Sequence, residues 1–306
     1  MVIKNLSEVC KEEQVEFVNS FDRLLLDLDG VVRVAYVPIP DAAVCIENFK
    51  KLGKPVQFVT NMAFTPAEIT HERLINDKFN VELEDIVNPY LAVVDYLKKI
   101  NFQKKIYAIA SQSYKEKLKS EGFKLAEDPP QLIEENLTSL FQNIQDDEEV
   151  GAVLYDFDIN LTFIKLQKAL TYLKRQDCLF VTGGADKFLP VGPTGPLLGN
   201  FYNFKGLTET SGRTPIQLAK PSKHYSKFIT ERFQIKNPAK VLFIGDMINE
   251  DMGFANESGF KKLLVLSGST KIDSVKNWKH PEEYKPNYYI ENLTELNKII
   301  RTNHKL

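Results

Sequence analysis

The chain is poor in the residues that build metal knuckles, disulfide frameworks and nucleotide loops. Its three cysteines, Cys10, Cys45 and Cys178, are far apart and include no Cys-x-x-Cys pair. An odd, dispersed set reads as free thiols in a reducing compartment rather than as a disulfide scaffold. His71, His224, His280 and His304 are isolated from one another and lack ligand spacing, so they suggest neither a zinc site nor a paired acid and base. No Gly-Lys-Ser/Thr occurs, and the glycines at 183–184 and 192–199 fit no dinucleotide fingerprint. There is no excess of positive charge, with 39 Lys and Arg against 41 Asp and Glu, so no global field draws the chain to nucleic acid or anionic lipid. Apolar runs such as Leu24 to Leu26 and Leu263 to Leu266 stop far short of the roughly 18 residues of a membrane helix. The first residues carry charges of both signs and no apolar signal region, so a cytoplasmic location is expected.

What remains is an ordinary globular composition, 43% hydrophobic and 26% charged over 306 residues, enough for about two domains. Arg23-Leu-Leu-Leu-Asp27-Leu-Asp29-Gly30 opens with a continuous apolar run, the pattern of a strand buried on both faces of a parallel sheet. Similar runs stand at 56–60, 215–219, 241–245 and 263–266, with helical patterns at 42–52, 67–79, 223–233 and 250–258. This alternation predicts a doubly wound α/β fold. The middle of the chain repeats it, with strands at 105–110, 152–155 and 178–182 and helices near 114–120 and 163–174, which suggests a second sheet with its own core. The acidic stretch from Glu127 to Glu149 reads as a solvated helix and loop, and Leu189 to Pro196 as a turn-dense crossing segment.

Ligands of open α/β sheets bind beyond the carboxyl ends of the strands, and four of these ends carry conspicuous polar groups. They are Asp27-Leu-Asp29-Gly30, Thr60-Asn61, Lys220, and Asp246 followed by Asp251. Asp27 and Asp29, two apart, can face a single cation where strand gives way to loop. Carboxylates ending a run of leucines need a compensating positive charge, which Mg²⁺ would supply with Asp246 as a further oxygen ligand. Lys220 and the Thr60 hydroxyl suit phosphoryl oxygens. Each element alone has a bland counterpart: a turn, a strand end, a surface lysine, or a carboxylate at a helix N-terminus.

In this order the set resembles the haloacid dehalogenase-type phosphatases, whose four motifs are Asp-x-Asp-Gly, a Ser/Thr after the second strand, a Lys, and Gly-Asp followed by further acids. Phe58-Val-Thr-Asn61, Lys220-Pro-Ser222, Gly245-Asp246 and Gly30-Val31 are most similar to a subgroup that includes 4-nitrophenylphosphatases, phosphoglycolate phosphatases and pyridoxal-phosphate phosphatases. The resemblance implies a Rossmann-like parallel-sheet core at 1–85 and 206–306, with an α/β cap inserted at 86–205. It implies Asp27 as nucleophile, Asp29 as general acid and base, and Mg²⁺ held by Asp27, the Asp29 backbone carbonyl and Asp246, with Asp251 nearby. Thr60, Asn61 and Lys220 would bind the phosphoryl group and Asp186 the substrate. The implied partner is a small phosphorylated metabolite, and a homodimer through the cap is a further expectation.

The chain also departs from the pattern. Thr60-Asn61-Met62-Ala63 stands where Thr-Asn-Asn-Ser is common, Gly245-Asp246-Met247 where Gly-Asp-Arg is usual, and Glu250 in a place that is commonly Thr. Ala219-Lys220-Pro221 replaces Gly-Lys-Pro, and Gly183-Gly184-Ala185-Asp186 stands where the cap reads Thr-Asn/Asp-x-Asp. A catalytically weak phosphate-ligand-binding or regulatory protein on the same fold is therefore the alternative to a phosphatase.

Overall fold

The computed structural model describes residues 3–34, 37–189 and 197–304. Its first strands are β1 (Lys4–Asn5), β2 (Arg23–Leu26), β3 (Arg33–Val34), β4 (Val37–Pro38), β5 (Val56–Val59) and β6 (Ile86–Val87). The middle of the chain adds β7 (Lys105–Ile109), β8 (Val150–Tyr155), β9 (Leu179–Thr182), β10 (Phe188–Leu189), β11 (Leu197–Leu198) and β12 (Ile216–Gln217). The last three are β13 (Val241–Gly245), β14 (Lys261–Val265) and β15 (Tyr288–Ile290). Seven of them form a parallel sheet in the order β1-β15-β14-β13-β2-β5-β6, and four form a second parallel sheet, β12-β9-β8-β7. The fold is thus a Rossmann-like core with a second α/β unit, as expected from the alternation of apolar runs and helical patterns.

The unbroken leucines of β2 are explained by its place at the centre of the larger sheet, between β13 and β5. Successive side chains of a strand point to opposite faces. Leu24 and Leu26 therefore join the cluster that includes Phe49, Leu296 and Ile300, while Leu25 joins Val59, Phe243 and Phe254 on the other face. All three leucines are at most 1% exposed, and truncating any one to alanine costs about 2–5 kcal/mol.

The smaller sheet uses its two faces differently. Tyr107, Val153, Tyr155 and Phe180 pack with Tyr172 and Leu173 in a separate core. Ile106, Ala108, Leu154 and Val181 face the other way and merge with Val59, Val87 and Tyr90, so the two units share one apolar cluster. Their helices start at side-chain caps: Asn88 accepts from the Leu91 N–H, Ser111 from Tyr114, Thr162 from Lys165 and Ser222 from Tyr225.

Two short strands lie across the divisions expected at 85 and 205. Ile86–Val87 is the edge strand beside β5 in the larger sheet, and Ile216–Gln217 pairs with β9 in the smaller one rather than with the core. A two-residue strand carries no periodicity that could assign it to a sheet. The stretch 127–149 contains one short helix, Leu137–Asn143, capped by Asn136 and otherwise solvent-facing loop. Of the crossing segment, Pro190 to Pro196 lie outside the described residues, while Phe188 and Leu198 flank it as an antiparallel pair. No helix among the described residues is long and apolar enough to cross a membrane.

Candidate active site

The carboxyl ends of β2 and β13 are adjacent because these strands pair in register, Leu26 opposite Ile244. The ladder continues one step further through the Asp27 N–H, which donates to the Ile244 carbonyl at 2.9 Å. This places Asp27 beside Asp246. After Met247 the chain makes a π-helical turn, Ile248–Met252, of the kind that recurs at functional sites. The turn brings Asp251 back so that its Oδ2 accepts from the N–H groups of Asp246, at 3.0 Å, and Met247, at 2.9 Å. Asp27, Asp246 and Asp251 are all buried, and one carboxylate oxygen from each lies within 4.8 Å of the others.

Lys220 reaches this cluster from the segment that follows β12. Its Nζ donates to Asp27 Oδ1 and to Asp251 Oδ1, both at 2.7 Å. Three carboxylates and one ammonium leave a formal charge of −2 in a space that water hardly enters. Burial, with Asp251 and Asp246 adding to it and Lys220 opposing, raises the Asp27 carboxyl well above the ordinary aspartate range. Burial and Asp251 push Asp246 up to about 7. For Lys220 burial alone would lower the pKa, but Asp251 and Asp27 together hold it above its usual value.

This donor set fits a divalent cation. All three candidate ligands are hard carboxylate oxygens, the charge deficit is two, and Asp246 Oδ1 is buried without a hydrogen-bond partner among the described residues. Gly30 makes room beside it. Its φ is +89°, and a Cβ there would stand 2.5 Å from the Asp246 carboxyl carbon, so a side chain would be both strained and in collision.

The other expected residues surround the cluster with distinct roles. Asp29 lines the small pocket together with Asp27, Thr60 and Lys220, but its carboxylate is turned to Arg33, whose Nε donates to Oδ1 at 3.0 Å. It is not one of the three clustered carboxylates. Thr60 Oγ1 accepts from the Met62 N–H at 3.0 Å, which leaves its own hydrogen to donate. Asn61 is committed elsewhere: its Oδ1 accepts from the Lys220 N–H at 2.9 Å, and its Nδ2 donates to the Lys220 carbonyl at 3.2 Å. Its amide thus holds the Lys220 backbone in place. Asp186 lines both the small pocket and a larger cavity of about 730 Å³ formed by the segments that follow β5, β8 and β9.

Several participants were not among the expected site residues. Ser269 donates its backbone N–H to Asp246 Oδ2, a contact no side-chain motif announces. Tyr225 OH bonds the carbonyls of Thr60 and Val87, tying the helix after Lys220 to the ends of β5 and β6. Glu250 lines the small pocket, and burial, then Asp186 and Asp251, push it up to about 7. Asp156, at the end of β8, lines the large cavity. Of three aromatic residues in the middle of the chain, Tyr155 is core, whereas Phe157 lines the large cavity and Phe188 the small pocket.

Comparison with known proteins agrees with this geometry. A sequence profile described as haloacid dehalogenase-like hydrolase matches residues 24–124, and a second, described as HAD-hydrolase-like, matches 217–296. The chain is 28% identical to the 4-nitrophenylphosphatase of Schizosaccharomyces pombe over 93% of its own length and 96% of the relative's. It is 25% identical to phosphoglycolate phosphatase 1A of Arabidopsis thaliana, over 93% of this chain and 79% of that one. Human chronophin is 24% identical, over 89% and 91% of the two chains. Among solved structures, the 4-nitrophenylphosphatase of Thermotoga maritima superposes with a TM-score of 0.76 at 21% identity, covering 92% of this chain and 98% of its own. The matched segments carry the Asp27, Lys220, Asp246 and Asp251 cluster, and with the shared fold they make this chain a haloacid dehalogenase-like hydrolase.

Proposed function

We propose that the protein is a phosphoric monoester hydrolase that uses a divalent cation, Mg²⁺, and acts on a small phosphorylated metabolite through Asp27. The observation that carries this reading is the buried Asp27, Asp246 and Asp251 cluster, bridged by Lys220 beside a pocket that shares Asn61, Met62 and Asp186 with an ester-sized cavity. The named phosphatases that match nearly the full chain support it.

Asp27 is the nucleophile. Lys220 engages its Oδ1, fixing the carboxylate's orientation, and attack on phosphorus forms an aspartyl-phosphate as the bond to the leaving oxygen breaks. Asp29, steadied by Arg33, donates a proton to that oxygen and then takes one from the water that opens the acyl phosphate. The Thr60 hydroxyl and Lys220 are the donors nearest the phosphoryl oxygens. Asp27, Asp246 and the Asp29 carbonyl would hold the cation, which supplies positive charge against the repulsion between an anionic nucleophile and an anionic phosphate. Asp251 orients Lys220 and the backbone at 246–247.

The test is hydrolysis of 4-nitrophenyl phosphate in the presence of Mg²⁺. Turnover that is lost on chelation and in Asp27→Asn supports the reading, and turnover unchanged by Asp27→Asn refutes it. The alternative, a phosphate-ligand-binding protein with little turnover, is favoured by Met62 and Met247 lining the small pocket and by the commitment of the Asn61 amide to Lys220. Phosphate esters that bind without being turned over would select it.

A further inference from the structure

The large cavity is mainly apolar, with Asn61, Asp158, Thr162, Asp186 and Asn200 at intervals along its wall, and Asp156 stands apart among its polar residues. Met62, Phe64, Phe157, Ile159, Leu161 and Leu198 line it with apolar surface. Asp156 is 4% exposed, and its Oδ2 is buried with no hydrogen-bond partner among the described residues. Its Oδ1 is already used, accepting the Phe157 N–H at 2.7 Å. An unpartnered buried polar atom costs about 1–3 kcal/mol, and such a group persists where a ligand completes it.

The surroundings are built to keep this carboxyl in place. Gly183 stands where the resembled cap loop carries threonine, and a Cβ on it would lie 2.2 Å from Asp156 Oδ2. A side chain at 183 would therefore push the Asp156 carboxyl out of its present position. The adjoining wall is pinned: Lys165 Nζ, on a buried side chain, donates to Asp158 Oδ2 at 2.7 Å and to the Asn160 carbonyl at 3.0 Å. Phe157 also packs edge-on against Phe64, with centroids 5.6 Å apart, across from the loop after β5. Among the described residues lining the cavity and the adjoining small pocket, Lys220 is the only Lys or Arg, and it is occupied by Asp27 and Asp251.

We infer that Asp156 is a specificity anchor of this cavity, receiving a hydrogen-bond-donating and preferably cationic group carried on the mainly apolar body of the phosphate ester's leaving group. The substrate class is then a monophosphate of an aromatic or branched alcohol bearing an amine. Apolar contact with the walls supplies affinity, and the donor at Asp156 supplies discrimination, because an analogue lacking it leaves the carboxyl unpartnered. Burial pushes Asp156 up to about 7, with the Phe157 N–H opposing and Asp186 adding, so it can meet a neutral donor or ionise opposite an ammonium near physiological pH.

This inference rests on the phosphate-site reading, and binding separates the two without turnover. The probes are benzylphosphonate and its 3- and 4-aminomethyl derivatives, titrated by calorimetry at pH 7.5 in excess MgCl₂ into the wild-type protein and Asp156→Asn. The expected result is at least about tenfold tighter binding of one amine-bearing phosphonate by the wild type. That preference should fall to within about twofold in Asp156→Asn, while benzylphosphonate itself binds the two proteins alike. Asparagine keeps an acceptor for the Phe157 N–H, and retained benzylphosphonate binding reports an intact fold. No amine preference in the wild type, or one that survives in Asp156→Asn, overturns the inference. Failure of every phosphonate to bind the wild type overturns the phosphate-site reading and this inference with it.

Discussion

Lys220 Nζ stands 2.7 Å from Asp251 Oδ1, and the two side chains are 2% and 1% exposed. A pair this deeply buried contributes little net stability relative to apolar residues, but removing one partner leaves the other charged and unpaired, at a cost of about 3–5 kcal/mol. Because Lys220 also holds Asp27, Lys220→Ala strands two carboxylates at once. Lys220→Ala is expected to lower the unfolding free energy by that amount in denaturant titration. In the fraction that remains folded, kcat/KM should drop by at least about two orders of magnitude. A variant with near-normal stability would show that the cluster is already relaxed by protonation.

Asp29 should be distinguishable from Asp27 by leaving-group chemistry. An alkoxide needs a proton as it departs, whereas 4-nitrophenolate is stable without one, and a positioned general acid contributes about 10²–10⁴-fold. Asp29→Asn is therefore expected to reduce kcat far more for an alkyl phosphate than for 4-nitrophenyl phosphate, while Asp27→Asn removes both. Equal losses on the two substrates would assign Asp29 to holding the loop through Arg33 rather than to proton transfer.

Cation binding should be visible without catalysis. A ligand that binds only the folded state stabilises it by RT ln(1 + [L]/Kd), about 2.7 kcal/mol at one hundred times Kd. Millimolar Mg²⁺ is expected to raise the Tm of the wild type, and Asp246→Asn should remove most of that rise, because within the carboxylate cluster Asp246 Oδ1 is buried without a hydrogen-bond partner among the described residues. A full Mg²⁺ response in Asp246→Asn would place the cation elsewhere.

The strands and the strand-end positions of the clustered polar groups were legible because their signals are local. Leu24 to Leu26 announce a strand buried on both faces, and Asp27, Lys220 and Asp246 sit where such strands end. The substrate side was not legible, because it is made of contacts between distant segments. Asn61 looks like a phosphate ligand until its amide is seen on the Lys220 backbone, 159 residues away. Gly183 reads as a lost threonine until the Asp156 carboxyl is found against it. Ile216–Gln217 has too few residues to reveal that it extends the smaller sheet. Each of these depends on which sheet edge or loop folds opposite, which local patterning does not encode.

The acids around the substrate space should exclude anionic leaving groups. Burial raises Asp186 to about 6, with Lys220 opposing and Asp251 adding, and Glu250 beside it is raised to about 7. A carboxylate on the substrate's leaving group would face both, with no free cation among the described lining residues. Despite the similarity to phosphoglycolate phosphatases, kcat/KM for phosphoglycolate is expected to lie at least about tenfold below that for a neutral aryl phosphate. Glu250→Gln should narrow the gap. Comparable values for the two substrates in the wild type would refute this electrostatic screen.

Asp156 should also leave a mark on stability as a function of pH. Its carboxyl titrates near 7 in the folded chain because of burial, against about 3.9 for an unfolded aspartate. Between these values the folded state holds a proton that the unfolded state has released, so stability falls as pH rises across the window, at a slope approaching about 1.4 kcal/mol per pH unit for this one group. Below pH 4 both states are protonated and the group contributes no slope; above pH 7 both are ionised and the full penalty is present. Asp156→Asn cannot ionise and escapes the penalty. Its Tm is expected to exceed the wild type's clearly at pH 8 and to converge on it at pH 4.5, as measured by thermal melts across the range. A difference between the two proteins that does not change with pH would mean that Asp156 is ionised throughout, with a partner that satisfies it.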